Sequence, residues 1–155
     1  MRRNTWDIGN LFAVPLSDGS SCLGQIVGRE AQMLNSITCA FYRTRVDSAA
    51  IESPQGVPDQ QDLIAVQFTT KDLLTRRIWK VLGNFPVTLP QSLFPHEDKR
   101  AQNWMGATMV GSGNIDHFLN AYFGLEPWDQ MHDPEYFDGL LLHPGSRPKW
   151  VKFSS

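Results

Sequence analysis

The feature that most constrains this chain is the run GNLFAVPLSDGSSCLGQI, residues 9–26, in which two apolar and β-branched stretches flank Asp18-Gly19. This pattern predicts a β-hairpin. A two-residue Asp-Gly turn takes positive φ at both central positions, and its twist then matches that of the flanking strands. The strands are expected over residues 10–16 and 21–29. Pro15 has no N–H for a ladder bond, which predicts an edge strand or a bulge there. Gly24 and Gly28 predict a bulge or a close backbone approach in the second strand.

Further strands follow. In residues 37–46, Ile37, Cys39 and Phe41 fall on one face, with Thr38, Tyr42 and Thr44 on the other. Residues 63–69, LIAVQFT, are apolar enough to suggest a central strand. Residues 70–74 suggest one helical turn capped by Thr70. Residues 78–85 suit a pleated surface through Ile78, Trp79 and Val81, in competition with a helix over 73–82. Residues 1–8 form a short arm with Trp6 as anchor, residues 47–62 a long exposed loop, and residues 86–95 an extended, proline-spaced segment.

Helical spacing is clearest late in the chain. Ile115, Phe118, Leu119 and Tyr122 recur at i, i+3, i+4 and i+7, with Asn114 placed to cap the start and Gly124 to close the end. Asp133-Pro134-Glu135 predicts the start of a second, short helix. Many strands and one main helix predict an α+β, mainly β fold. The expected form is a strongly bent antiparallel sheet or small barrel with the C-terminal helix packed on it. At 155 residues, one domain spanning the whole chain is expected.

Composition narrows the function. With 14 basic against 16 acidic residues and no basic tract, the chain offers no phosphate-binding face beyond a local patch of Arg43, Arg45, Arg76 and Arg77. Nucleic acid is therefore not an expected partner. After Met1-Arg2-Arg3 no apolar run follows, and no stretch is long enough for a bilayer. A soluble, cytoplasmic protein with no membrane partner is expected. Cys22 and Cys39 belong to no Cys-x-x-Cys pair, which favours two buried thiols over a zinc site or a disulfide.

Candidate chemistry is sparse. Three of four histidines adjoin acids, as His96-Glu97-Asp98, Asp116-His117 and His132-Asp133. A shared metal site from His117, Asp129, His132 and Asp133 is sterically conceivable, but no His-x-His pair or His-Glu-x-x-His helix supports it. No catalytic residue, metal or cofactor is assigned. Gly111-Ser112-Gly113 reads as a weak anion cradle or as a joint before the helix. The strongest candidate for function is the acidic and aromatic run of residues 126–138. There Trp128, Asp129, Asp133, Glu135, Tyr136 and Asp138 could meet a protein partner, with the alternative that the aromatics are core and the acids solvated.

Ile8-Gly9-Asn10-Leu11-Phe12-Ala13-Val14-Pro15-Leu16, Asp18-Gly19 and Gly24-Gln25-Ile26 resemble the opening of the immunity protein 26 family. Trp79-Lys80-Val81-Leu82-Gly83 and Phe85-Pro86 are similar to its middle. The resemblance implies a non-enzymatic bacterial immunity protein that binds and neutralises a cognate toxin of a polymorphic toxin system. The same grouping holds small phosphotriesterase-like proteins of the HocA type. It therefore also implies, as the alternative, a small hydrolase of organophosphates drawing on His96, His117 or His132.

Overall fold

A computed structural model describes residues 6–29, 36–47, 56–95, 97 and 108–154. Five strands, β1 (Asn10–Pro15), β2 (Ser20–Gly28), β3 (Ser36–Asp47), β4 (Leu63–Thr70) and β5 (Lys80–Asn84), form one sheet in the order β4-β3-β2-β1-β5. Every neighbouring pair is antiparallel, and among the described residues the sheet stays open. With the turn α1 (Asp72–Thr75) and the helix α2 (Ser112–Tyr122), the fold is α+β and mainly β.

The opening hairpin forms, though not around a two-residue turn. Gly19 N donates to Leu16 O and Leu16 N donates to Ser20 O, so the loop has three residues. Only Gly19 takes positive φ, at 87°. This is a type I turn followed by a left-handed glycine, which gives the strands the required twist without forcing Asp18 into a strained region. Asp18 instead turns its carboxylate onto the Ser20 N–H and hydroxyl, at 3.0 and 2.5 Å. Those bonds hold its pKa below the usual value.

Two strand positions differ from expectation. β1 lies inside the sheet, between β2 and β5, and is not an edge. Pro15 is tolerated because pairing with β5 stops at Ala13↔Lys80, so no ladder bond is lost beyond it. β4 is an edge strand, not a central one. Its apolar character follows from cover at both ends: Val110 N donates to Phe68 O, and Leu142 N donates to Ile64 O.

One core face gathers Phe12, Phe41 and Trp79, all at most 1% exposed. Trp79 stacks on Phe12 at 5.3 Å and meets Phe41 edge-on at 5.7 Å. The expected close approach in β2 is at Gly24, where a Cβ would lie 2.6 Å from the Phe12 ring. Ile115, Phe118 and Leu119 of α2 join this core, and Trp6 packs against it beneath Arg29 and Lys71. On the other sheet face, Tyr42, Ala40, Val27, Val66 and Leu89 make a smaller cluster, so the first seven residues of β3 are buried on both faces. Val57, at the end of the loop before β4, packs on it, while residues 48–55 of that loop lie outside the described residues.

The starts of the two helices differ from expectation. Asn114 lies within α2, whose N-cap is Gly111, and Thr70 does not cap α1. The Thr70 Oγ1 accepts from Ser112 N at 2.8 Å, so it serves the start of α2 instead. At the other end Gly124 takes φ +76° and donates to Ala121 O while Leu125 N donates to Asn120 O, a Schellman closure. Buried Asn120 ties α2 to the hairpin turn, accepting from Ser17 N at 2.8 Å and donating to Asp116 O at 2.9 Å. Asn120→Ala leaves the Ser17 N–H without its acceptor and is expected to cost about 1–3 kcal/mol in urea unfolding, with m unchanged.

Candidate partner-binding face

The run of residues 126–138 forms no second helix. Asp133 Oδ1 accepts from Glu135 N at 2.9 Å and Tyr136 N donates to Asp133 O, which closes one turn. A 3₁₀ turn over Asp138–Leu140 follows. The residues of this run therefore separate by depth. Trp128 is 1% exposed, packed against Phe118 and Phe137 at 5.8 and 5.6 Å, which corrects its assignment as a partner contact. Its indole N–H donates to Asp138 Oδ1 at 3.2 Å, so it positions a surface carboxylate from below. Asp129, Tyr136 and Asp138 are half-buried, and Asp133 and Glu135 are exposed.

The exposed aromatics of this face come from the C-terminal segment, which sequence reasoning passed over. Trp128 N donates to Lys152 O, and Pro127 and Lys152 form a parallel bridge, bringing the segment beside the acidic run. Trp150 and Phe153 are 59% and 54% exposed. Trp150 is nevertheless fixed: Nε1 donates to Tyr122 O at 2.7 Å and its ring meets Tyr122 edge-on. Arg147 lies over the Phe153 ring and 3.5 Å from Asp138. Two aromatics three positions apart among lysines, in the sequence PKWVKF, were the available signal.

Asp129 clasps this segment. The Ser154 N–H and hydroxyl donate to its two oxygens at 2.6 and 2.8 Å and hold its carboxyl below the usual range. Because the folded value is depressed, this contribution is full above the ordinary aspartate value and is lost as pH falls through the lowered one. Charge is patterned across the face. Asp133 and Glu135 are exposed in the acidic run, and Lys149 and Lys152 are exposed beside the aromatics in the C-terminal segment.

Next to Asp133 and Glu135, a groove of about 670 Å³ runs along the outer edge of β4. Its walls include Leu93, Phe94, Met109 and Leu142, with His143 also at its side. A second hollow, shared by Asp133, Glu135 and Asp138, adjoins it and contains Arg147.

The other chemical candidates are dispersed. Among the described residues no three His, Cys, Asp or Glu groups converge as a metal site. His117 Nδ1 instead lies 3.3 Å from Glu126, His132 and His143 are exposed, and His96 lies outside the described residues. Burial pushes both thiols, Cys22 and Cys39, up and away from a reactive thiolate. The Gly111-Ser112-Gly113 segment spends its Ser112 N–H on Thr70, which weakens it as an anion cradle. Arg43 and Arg45 of the small basic patch pair with Asp62 and Asp18 at 2.9 and 3.8 Å.

Among the described residues, Asp116 is the carboxylate that burial shifts upward. Its Oδ1 and the Trp79 Nε1 are both buried without a hydrogen bond of good geometry, although the nearby indole N–H still favours the charged form. Burial outweighs this and raises the carboxyl above its usual 3.8. A raised folded pKa gives stability that is full below the unfolded value and lost as pH rises through the folded one. Asp116→Asn is therefore expected to raise the melting temperature by a few degrees at pH 7. The gain should shrink below about pH 4, as thermal melts at the two pH values would show.

Residues 7–100 match the family model described as Immunity protein 26. No curated protein and no solved structure matches the chain. The matched span contains all five strands and ends before α2. Among the described residues no helix is long and apolar enough to cross a membrane.

Proposed function

Because the chain belongs to the immunity protein 26 family, we propose that it binds a cognate bacterial toxin of a polymorphic toxin system in the cytoplasm and neutralises it by occlusion. The observation that carries this reading is a fixed, exposed Trp150 in the C-terminal segment that Asp129 clasps through Ser154. Rigid aromatics that bury large area at little entropic cost anchor protein interfaces, and surrounding charges select the partner. Asp129, Asp133, Glu135, Tyr136 and Asp138 supply the polar part of that face, and Trp150 and Phe153 its apolar part.

The mechanism is steric and electrostatic. The sheet, α2 and the buried Trp128-Phe118-Phe137 cluster hold the face in one shape, so little ordering remains to be done on binding. The face lies outside the family-matched residues, which fits a shared scaffold carrying a partner-specific surface. Co-expression with the toxin encoded beside the gene tests the proposal: restored growth and a co-purifying complex are expected. Unrelieved toxicity and no complex would overturn it.

A further inference from the structure

We propose that the outer edge of β5 is a contact between two copies of this chain, related by a two-fold axis beside Leu82 and Gly83. The inference goes beyond the partner-binding reading above and does not depend on it. It uses the edge of the sheet opposite β4 and none of residues 126–138 or 147–154.

The first observation is that β5 ends the sheet without cover. β1 pairs with one side of it, and no strand pairs with the other among the described residues. Lys80 and Asn84 are exposed, and Val81, Leu82 and Gly83 between them are half-buried. The register passes from Leu11↔Gly83 to Phe12↔Val81, which leaves Leu82 without a counterpart on β1. Phe85 N donates inward to Gly9 O, so alternation turns the N–H and C=O of exposed Asn84 outward. Among the described residues no backbone bond from outside the sheet engages Val81, Leu82 or Asn84. An accessible edge of this kind is a template for pairing with another chain.

The second observation is that the two ends of this edge complement each other. Ile78 and Ile8 are among the few large apolar side chains left exposed, at 39% and 46%. Ile78 stands just before β5, and the Ile8 carbonyl accepts from Asn84 Nδ2 at its far end. Charge divides in the same way. Lys80 marks the first end and exposed Asp7, next to Ile8, marks the second. Neither has an ion-pair partner among the described residues. The four steps from Lys80 to Asn84 span roughly 13 Å at about 3.3 Å each, so the two charges of one copy do not meet. Antiparallel pairing with a second copy brings them together twice, Lys80 of each towards Asp7 of the other and Ile78 towards Ile8. A two-fold contact requires this self-complementarity, in which residue i meets j while j meets i. Gly83, close to the axis, adds no side chain where the two backbones approach.

The test is sedimentation equilibrium of the full chain from micromolar to millimolar concentration. The mass is expected to rise from 17.5 kDa towards twice that value. Lys80→Glu and Asp7→Lys should each weaken self-association at least tenfold. The two changes together should restore it to within about threefold of the unaltered chain, because the swapped charges again meet across the axis. Melting curves should shift little in all three variants, since both side chains are exposed. A monomer at every concentration would overturn the inference, and Lys80 would then be the charge that keeps the edge solitary. A dimer indifferent to both single changes, or a double variant that stays weakened, would overturn it as well.

Discussion

Trp79→Ala is expected to lower the unfolding free energy by about 3–5 kcal/mol. The indole is 1% exposed and sits where three elements meet: it leads into β5, stacks on Phe12 of β1 and abuts Phe41 of β3. Truncation leaves a cavity that these neighbours cannot close. Gly24 already lets the Phe12 ring pass as near the β2 backbone as it can, and β1 is held between two strands. Against a total stability of about 5–15 kcal/mol for a domain of this size, that loss is a large fraction. Trp79→Phe should cost much less, because it keeps the stacked ring and removes the buried Nε1, which has no hydrogen bond of good geometry. Guanidinium unfolding of both variants checks this. A cost under about 1 kcal/mol for the alanine variant would mean the stacked cluster is not the centre of the core.

Trp150→Ala is expected to leave the fold intact and to weaken toxin binding by about 2–4 kcal/mol, roughly 30- to 1,000-fold in Kd. The asymmetry follows from position. With more than half its surface in solvent, the ring contributes modestly to folding. Its hydrogen bond to Tyr122 O and edge contact with the Tyr122 ring nevertheless hold it ready for a partner. Phe153→Ala should act in the same direction and less strongly, since Arg147 already covers part of that ring. Calorimetric titration with the toxin, alongside a melting curve, separates the two effects. A fallen melting temperature with unchanged affinity would place Trp150 in the scaffold.

The scaffold was more legible in the residues than the surface was. Gly9, Gln25 and Phe85, which carry much of the family resemblance, converge on one junction. Gly9 takes φ +96° and accepts from Phe85 N, while the Gln25 side chain donates to Gly9 O and Phe85 O. Local turn chemistry and period-2 alternation are written in neighbouring residues, so the hairpin, β3 and α2 could be read directly. Edge and centre could not. β4 is apolar because Val110 and Leu142, 40 or more positions later, cover its outer side, and no local pattern announces that.

The candidate face shows the same limit. Acids and aromatics interleave in residues 126–138, yet a turn in place of a helix sends Trp128 and Phe137 inward and leaves the carboxylates outside. The exposed aromatics arrive from the chain end through the Pro127–Lys152 bridge and the Asp129–Ser154 clasp. Both are long-range contacts between exposed, aperiodic segments. Thr70 misled for a related reason: its hydroxyl caps a helix that begins 42 positions later.

The surface made from residues 126–138 and 147–154 is the proposed contact with the toxin. Hydrogen–deuterium exchange on the complex with the toxin encoded beside the gene tests it most directly. Slowed exchange is predicted in those two segments, with the Asp18-Gly19 turn unchanged. Protection centred on the hairpin turn or on β5, with residues 126–138 and 147–154 exchanging as in the free chain, would contradict it.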